Sequence, residues 1–350
     1  SSGDDDDSSG DDDDSSGDDD DVTPADLPDA WTLLTPSGDP LPSLVHSAAV
    51  YDPIQARVLI VGGQTFYDLL ANVWSLNVGA GATVTELLLG GQEPAGRMGH
   101  AVAVDPVRQR LILFGGQGFY DLYNDVHALD LSIAEGAWTA LAPSGTPPPP
   151  RVGHSAVFDE AGDRLLVFGG QGYNEVFGDL WALDFSSDPN GEWIELLPAG
   201  GAPPERTEHG AAWDPATATM FVGGGRAFYE LPDDLFALDT LAGADGSWSQ
   251  LTPATGTMDP AVSPSWTWDP WAERLIQVGG RGYDELLLTP QEIGFGIDPA
   301  GQWADLVPQG PEPSGRFGAS VAFVPELNAI YLIGGQTWND VLADIWELQF

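Results

Sequence analysis

Six times along the chain a short apolar run ends on two glycines. The pairs are Gly62-Gly63, Gly115-Gly116, Gly169-Gly170, Gly224-Gly225, Gly279-Gly280 and Gly334-Gly335, spaced 53, 54, 55, 55 and 55 residues apart. Self-similarity at such a period marks one supersecondary unit repeated around or along an array. The register inside the unit is also kept. Ten residues before the glycines stand Asp52, Asp105, Asp159, Asp214 and Asp269, with Val324 as the departure. Twelve residues after them stand Trp74, His127, Trp181, Phe236 and Trp346, and in the fifth copy Phe295 comes four residues late. A W-x-x-L position or its relative follows at Val84, Trp138, Trp193, Trp248 and Trp303. Each unit predicts four strands: one running to the Asp (His154–Asp159), the apolar run into the glycines, one after D-[VL]-W, and one from W-x-x-L. Wholly apolar or alternating strands of this kind suit sheets covered on both faces.

The combination R-x-G-H-[SA]-[AV]-V…D, the diglycine, D-[VL]-W-x-L-D and W-x-x-L resembles the kelch family over about residues 31–350. The resemblance implies an all-β, six-bladed β-propeller. Trp31-Thr32-Leu33-Leu34 carries the fourth-strand signature with no diglycine before it, and the sixth repeat stops at Phe350 before reaching its own. The surplus strand is therefore expected to complete the last blade and close the ring, which leaves no open edge. Three segments follow: an Asp-rich tail at 1–21, a linker at 22–30 and the propeller at 31–350.

Composition narrows the function. Cysteine is absent, which removes disulfide frameworks, thiolate metal sites and thiol nucleophiles. All 11 basic residues are Arg against 54 Asp and Glu, a formal charge of −43. The twelve tail aspartates account for part of it and leave −31 on the rest. Such a surface repels nucleic acid and anionic lipid. No window is apolar enough for a transmembrane helix. An acidic chain beginning at Ser1, without Met or a signal segment, is expected to be a trimmed product working outside the cell or at its surface.

The tail is SSGDDDD three times over, and like-charge runs this dense read as a solvated spacer. Clustered carboxylates also suit Ca²⁺, with Asp4, Asp5, Asp6, Asp7, Asp11, Asp12, Asp13, Asp14, Asp18, Asp19, Asp20 and Asp21 as ligands, although the D-x-D-x-D-G spacing of a preformed loop is missing. No other cofactor is required.

Arg97, Arg151, Arg206 and Arg316, grouped with His100, His154, His209 and His46, recur too regularly for a single reaction centre and read as scaffold. Arg57, Arg110, Arg164 and Arg274, opening the second strands, read the same way. Enzymes on this fold leave tests. The copper oxidases need a cysteine. The iron motif E-x-x-x-D-x-x-x-H of nitrile-specifier-like proteins and the sialidase Asp-box are absent. Sialic-acid epimerases of kelch type have no short motif, so a carbohydrate-active enzyme stays as a third reading.

The loops after the diglycines read QTFYDLLA, QGFYDLYN, QGYNEVFG, RAFYELPD, RGYDELLL and QTWNDVLA. Each sets aromatic residues before a carboxylate: Phe66, Tyr67, Phe119, Tyr120, Tyr173, Phe228, Tyr229, Tyr283 and Trp338 are the candidate ligand-binding residues. Self-packing of the loops is the alternative. Arg226 and Arg281 replace the Gln of the other four copies (Gln64, Gln117, Gln171, Gln336), and two Arg near one mouth can hold a carboxylate-bearing partner. Blade five also shows Ala261 and Pro264 in place of its Arg and His, and its loop is four residues longer. The sequence thus points to a non-catalytic recognition or scaffold module for a protein or glycan, with a calcium-ordered, self-assembling fibre or surface-layer subunit as the second reading.

Overall fold

The computed structural model of the chain describes residues 29–79, 81–133, 136–296 and 300–350. The Asp-rich tail, and with it the whole calcium assignment, lies outside the described residues. Six sheets, antiparallel over their four main strands, form six blades, and their first strands touch one another in a closed cycle. Blade 3 is representative, with Ser155–Asp159, Arg164–Gln171, Val176–Asp184 and Glu192–Leu196 running outward from the axis. No α-helix occurs among the described residues; a 3₁₀ turn, Pro325–Leu327, connects the first two strands of blade 6.

The second strands are apolar throughout because both of their faces are interior. Leu165 and Val167 join Ile112 and Phe114 in a cluster between blades 2 and 3. Leu166 and Phe168 point the other way, into a cluster with Met220 and Val222 of blade 4. The other four interfaces repeat the arrangement, so the protein has six cores, each shared by two neighbouring blades. A blade removed from the ring would expose both apolar faces, which is why the ring must close.

Closure occurs where the sequence places it. Ala30–Leu34 pairs antiparallel with Ile345–Gln349, setting Trp31 opposite Leu348. Blades 1 to 4 carry a fifth strand that the sequence pattern did not reveal. Two-residue segments, Ser37–Gly38, Gly90–Gly91, Ser144–Gly145 and Ala199–Gly200, run parallel to the start of the fourth strand and cover the outer edge. They are too short for any periodicity to show.

The repeated arginines staple blade to blade. The backbone of Arg151 belongs to blade 2: its N–H donates to the Tyr123 carbonyl, and its own carbonyl accepts from Gly116 at 2.8 Å. Its guanidinium belongs to blade 3, donating to both oxygens of Asp179 at 2.7 and 2.8 Å and to the Gly169 carbonyl at 2.8 Å. It also lies over the Phe177 ring, 4.3 Å from the centroid. Arg97, Arg206 and Arg316 repeat this with Asp125, Asp234 and Asp344. The diglycine makes the geometry possible: Gly169 and Gly170 hold φ of +64° and +97°, conformations costly for other residues. The two blades without the Arg also lack the Asp, showing Leu44 with Asn72 and Ala261 with Thr289.

On the opposite face Arg57, Arg110, Arg164 and Arg274 each donate from Nε to the Asp that ends the first strand, at 2.8–2.9 Å. These aspartates also cap hairpin N–H groups, as Asp52 does for Ile54. Both arginine sets are scaffold.

Candidate functional site

The residue before each conserved histidine position forms a throat around the axis. His46, Gly99, Gly153, Glu208, Ser263 and Gly318 all hold positive φ between 50° and 65°. Each N–H donates to the carbonyl of the preceding blade's equivalent, at 2.7–3.1 Å, and His46 completes the cycle by donating to Gly318. His46 therefore belongs to the glycine column, not with His100, His154 and His209. Three blades accept a side chain in a left-handed conformation that costs roughly 1–2 kcal/mol. Of those side chains, Glu208 and Ser263 are polar groups that the sequence reading missed, and His46 is one that it placed in the wrong column. Superposing the six R-x-G-H segments residue by residue would have shown them.

Outside the throat, Gln64, Gln117, Gln171, Arg226, Arg281 and Gln336 form the next ring, each bridged to the residue preceding a throat position. The post-diglycine loops stand above it, all with one turn geometry: Thr65 N–H donates to the Asp68 carbonyl, Gly118 to Asp121, Gly172 to Glu175, Ala227 to Glu230, Gly282 to Glu285 and Thr337 to Asp340. The turn explains the motif. Its two tip positions point to solvent and carry the aromatics, while the acidic residue closes the turn through its backbone and leaves its carboxylate exposed. Tyr120 is 91% and Tyr229 94% exposed; Phe66, Tyr67, Phe119, Tyr173, Phe228, Tyr283 and Trp338 are exposed as well. Self-packing accounts for part of two residues: the hydroxyls of Tyr173 and Tyr283 accept from Leu122 and Leu231 of the neighbouring loops, at 3.0 and 3.2 Å.

A cavity of about 360 Å³ opens between these loops and the throat, on the sector of blades 2 to 4. Tyr120, Tyr173, Gln117, His46, Glu208 and Arg226 line it, and Gly99 and Gly153 leave its floor clear. Arg226 donates to the Gln171 side chain at 3.1 Å and stands 3.8 Å from Glu208. It also borders a second cavity of about 260 Å³ with Phe228, Tyr229 and Glu175. Arg281 lines neither cavity; its guanidinium lies against the Phe317 ring, 5.1 Å from the centroid. Burial holds the His46 imidazole below its usual pKa, Glu208 pulls the other way, and Arg281 adds to the lowering. Neutral His46 then offers one donor and one acceptor at the cavity floor.

Blade five departs from the repeat for a structural reason. Trp266 stands where the other blades have Ala49, Val102, Ala156, Ala211 and Val321, and blade 4 clears space for it at Gly210 and Gly223, where a Cβ would strike the indole. Buried Gln277 accepts from the Trp266 N–H at 3.1 Å. Asp259 N–H donates to Gln291, and Gln277 donates to the Asp259 carbonyl, so an amide network fills the place of the missing arginine staple.

Comparison with known proteins agrees with this geometry. A family model described as the KLHDC2/KLHL20/DRC7 Kelch-repeats domain matches residues 131–289. With six blades and the recurring motifs already in place, that match decides the family. The chain belongs to the kelch-repeat β-propellers. This kelch propeller is 32% identical over 254 residues to mouse Multiple epidermal growth factor-like domains protein 8, covering 70% of the chain and 8% of that protein. It is 28% identical over 332 residues to Adagio protein 3 of Arabidopsis thaliana, covering 91% and 51%. It is 29% identical over 265 residues to Serine/threonine-protein phosphatase BSL2 of the same plant, covering 73% and 24%. The kelch chain thus spans about half or less of the length of these relatives.

Proposed function

We propose that this kelch propeller is a protein-docking module, and that the face bearing the six post-diglycine loops receives the partner. The observation that carries the reading is the ring of exposed loop-tip aromatics around a cavity holding Arg226. Aromatic side chains with one polar end give large contact area at little entropic cost and are enriched at interfaces. A scaffold needs none of them exposed, since the staples and shared cores already hold the blades. The carboxylates between the aromatics favour a partner with cationic groups, and Arg226 provides the single place on the blade 2–4 sector for an acidic one. The acidic composition suits a position outside the cell or at its surface.

The test is a peptide-display selection on the immobilised propeller. Selected peptides are expected to lose at least tenfold in affinity to a Tyr120→Ser/Tyr229→Ser variant, and to Arg226→Gln when they carry a central acidic residue. Loss to neither variant, with binding retained, would move the docking surface elsewhere. Selection of glycans but no peptides on a parallel array would replace the protein partner with a sugar.

A further inference from the structure

The second mouth of the axial channel, on the face away from the loops, holds a cup that the docking reading does not use. Its volume is about 330 Å³. Tyr51, Trp213, Trp268 and Phe323 contribute to its wall, and Trp266 lines both this cup and the axial cavity above it. Ala49 and Val321 are likewise shared by the two linings. The first four side chains occupy one position of the repeat, the residue before the Asp column, so four aromatic rings reach one mouth from blades 1, 4, 5 and 6. Among the described residues lining the cup the only charged side chain is Glu160, which is exposed. A further carboxylate, Glu326, engages the Tyr51 hydroxyl beside it. The arginines nearest in sequence to this mouth are committed elsewhere: Arg57, Arg164 and Arg274 to their hairpin aspartates, and Arg108 to Asp163 at 2.6 and 2.7 Å.

We infer that this cup binds a quaternary alkylammonium group, as carried by a small cation of the choline type. Ring faces offer negative electrostatic potential, and a desolvated cation among them gains attraction that an equally bulky neutral group does not. Glu160 supplies the opposite charge with no Arg in the lining to compete for it. The volume takes a trimethylammonium head with part of its chain. This inference concerns the opposite mouth and stands or falls separately from the docking face.

The experiment is calorimetric titration of the whole chain with tetramethylammonium and with choline, each compared with 3,3-dimethylbutan-1-ol, the neutral isostere of choline. Quenching of tryptophan fluorescence serves as a second readout. Both cations are expected to bind, with the neutral alcohol at least tenfold weaker. Glu160→Gln, an exposed change that leaves the fold intact, is expected to weaken the cations severalfold and leave the alcohol unaffected. Trp213→Leu is expected to weaken them further, with Tyr120→Ser on the other face as an unaffected control. Equal binding of alcohol and cation, indifference to Glu160→Gln, or absence of binding up to tens of millimolar would each overturn the assignment.

Discussion

Trp31 meets Trp346 edge to face, with ring centroids 6.5 Å apart and planes at 88°, although the two lie near opposite ends of the chain. The pair sits in the core shared by blades 5 and 6, where Trp31 is almost fully buried with Ile276, Leu306 and Leu348. The last blade is thus completed by a strand made first. Trp31→Ala should cost about 3–5 kcal/mol, the usual penalty for a buried aromatic cut to a methyl group. Urea unfolding should show the loss as one earlier transition shared by all blades; a separate early phase limited to blade 6 would argue against a cooperative ring.

The Arg151–Asp179 staple is expected to behave as a coupled pair. Arg151→Leu alone leaves the Gly169 carbonyl without its guanidinium donor and the partly exposed Asp179 carboxylate with only the Trp181 indole N–H, a loss of about 2–4 kcal/mol, somewhat less than for a fully buried pair broken on one side. Combining it with Asp179→Asn recreates what blade 1 has naturally in Leu44 and Asn72. The double variant should regain at least half of that loss in denaturant melts, and simple additivity would contradict the coupling.

Ser155 Oγ lies 2.8 Å from His209 Nε2, across the boundary of blades 3 and 4. One boundary earlier the serine is Ala101, and both ring nitrogens of His154 are buried without a partner. Ala101→Ser should therefore stabilise the protein by about 1 kcal/mol, and Ser155→Ala should destabilise it by a similar or larger amount. Thermal melts of the two single variants check both signs.

Burial lowers the pKa of His100 and His209 to about 3, and that of His154 well below its usual value, with the staple arginines adding to the effect. The unfolded chain titrates these imidazoles near 6.5. Between about pH 6.5 and 3 the unfolded state binds more protons, so stability is complete above that range and falls with acid. Well below 6.5 each neutral histidine contributes a slope of about 1.4 kcal/mol per pH unit. Midpoints of urea unfolding at pH 7, 6, 5 and 4 should decline, and a His100→Asn/His154→Asn/His209→Asn variant should flatten the decline. An unchanged slope in that variant would assign acid sensitivity to the carboxylates instead.

Gly210→Ala places a methyl group on the Trp266 indole and should be strongly destabilising by itself. Trp266→Val, the residue type of blades 2 and 6 at this position, should rescue it. Failure of rescue in thermal denaturation would show that Gly210 serves something other than room for the ring.

The blade count, the closing strand and both arginine sets were legible because each rests on residues kept at fixed offsets. Trp31 without a preceding diglycine and a sixth unit without its last strand left a single consistent closure. The throat was less visible because its decisive property is a backbone angle, and His46 resembled its histidine neighbours by residue type while occupying the glycine column. Blade five was half legible for a different reason. Loss of Arg and His at Ala261 and Pro264 was visible in the sequence, whereas the residues packed there, Gly210, Trp266 and Gln277, lie on two blades and meet only after folding. Loop-tip exposure was readable from the turn composition, yet which loops bordered a cavity was not. That choice depends on Gly99 and Gly153 leaving the floor open between blades 2 and 3.

The circular chain of amide bonds at the axis has one electrical consequence. All six N–H groups point in the same rotational sense, so their dipoles run tangentially and cancel over the full turn. These six amides then add no lengthwise field for a charge entering from the loop side, unlike the aligned amides of a helix end. At the hoop itself the side chains presented are His46, Glu208 and Ser263, with His46 three positions around the ring from Glu208.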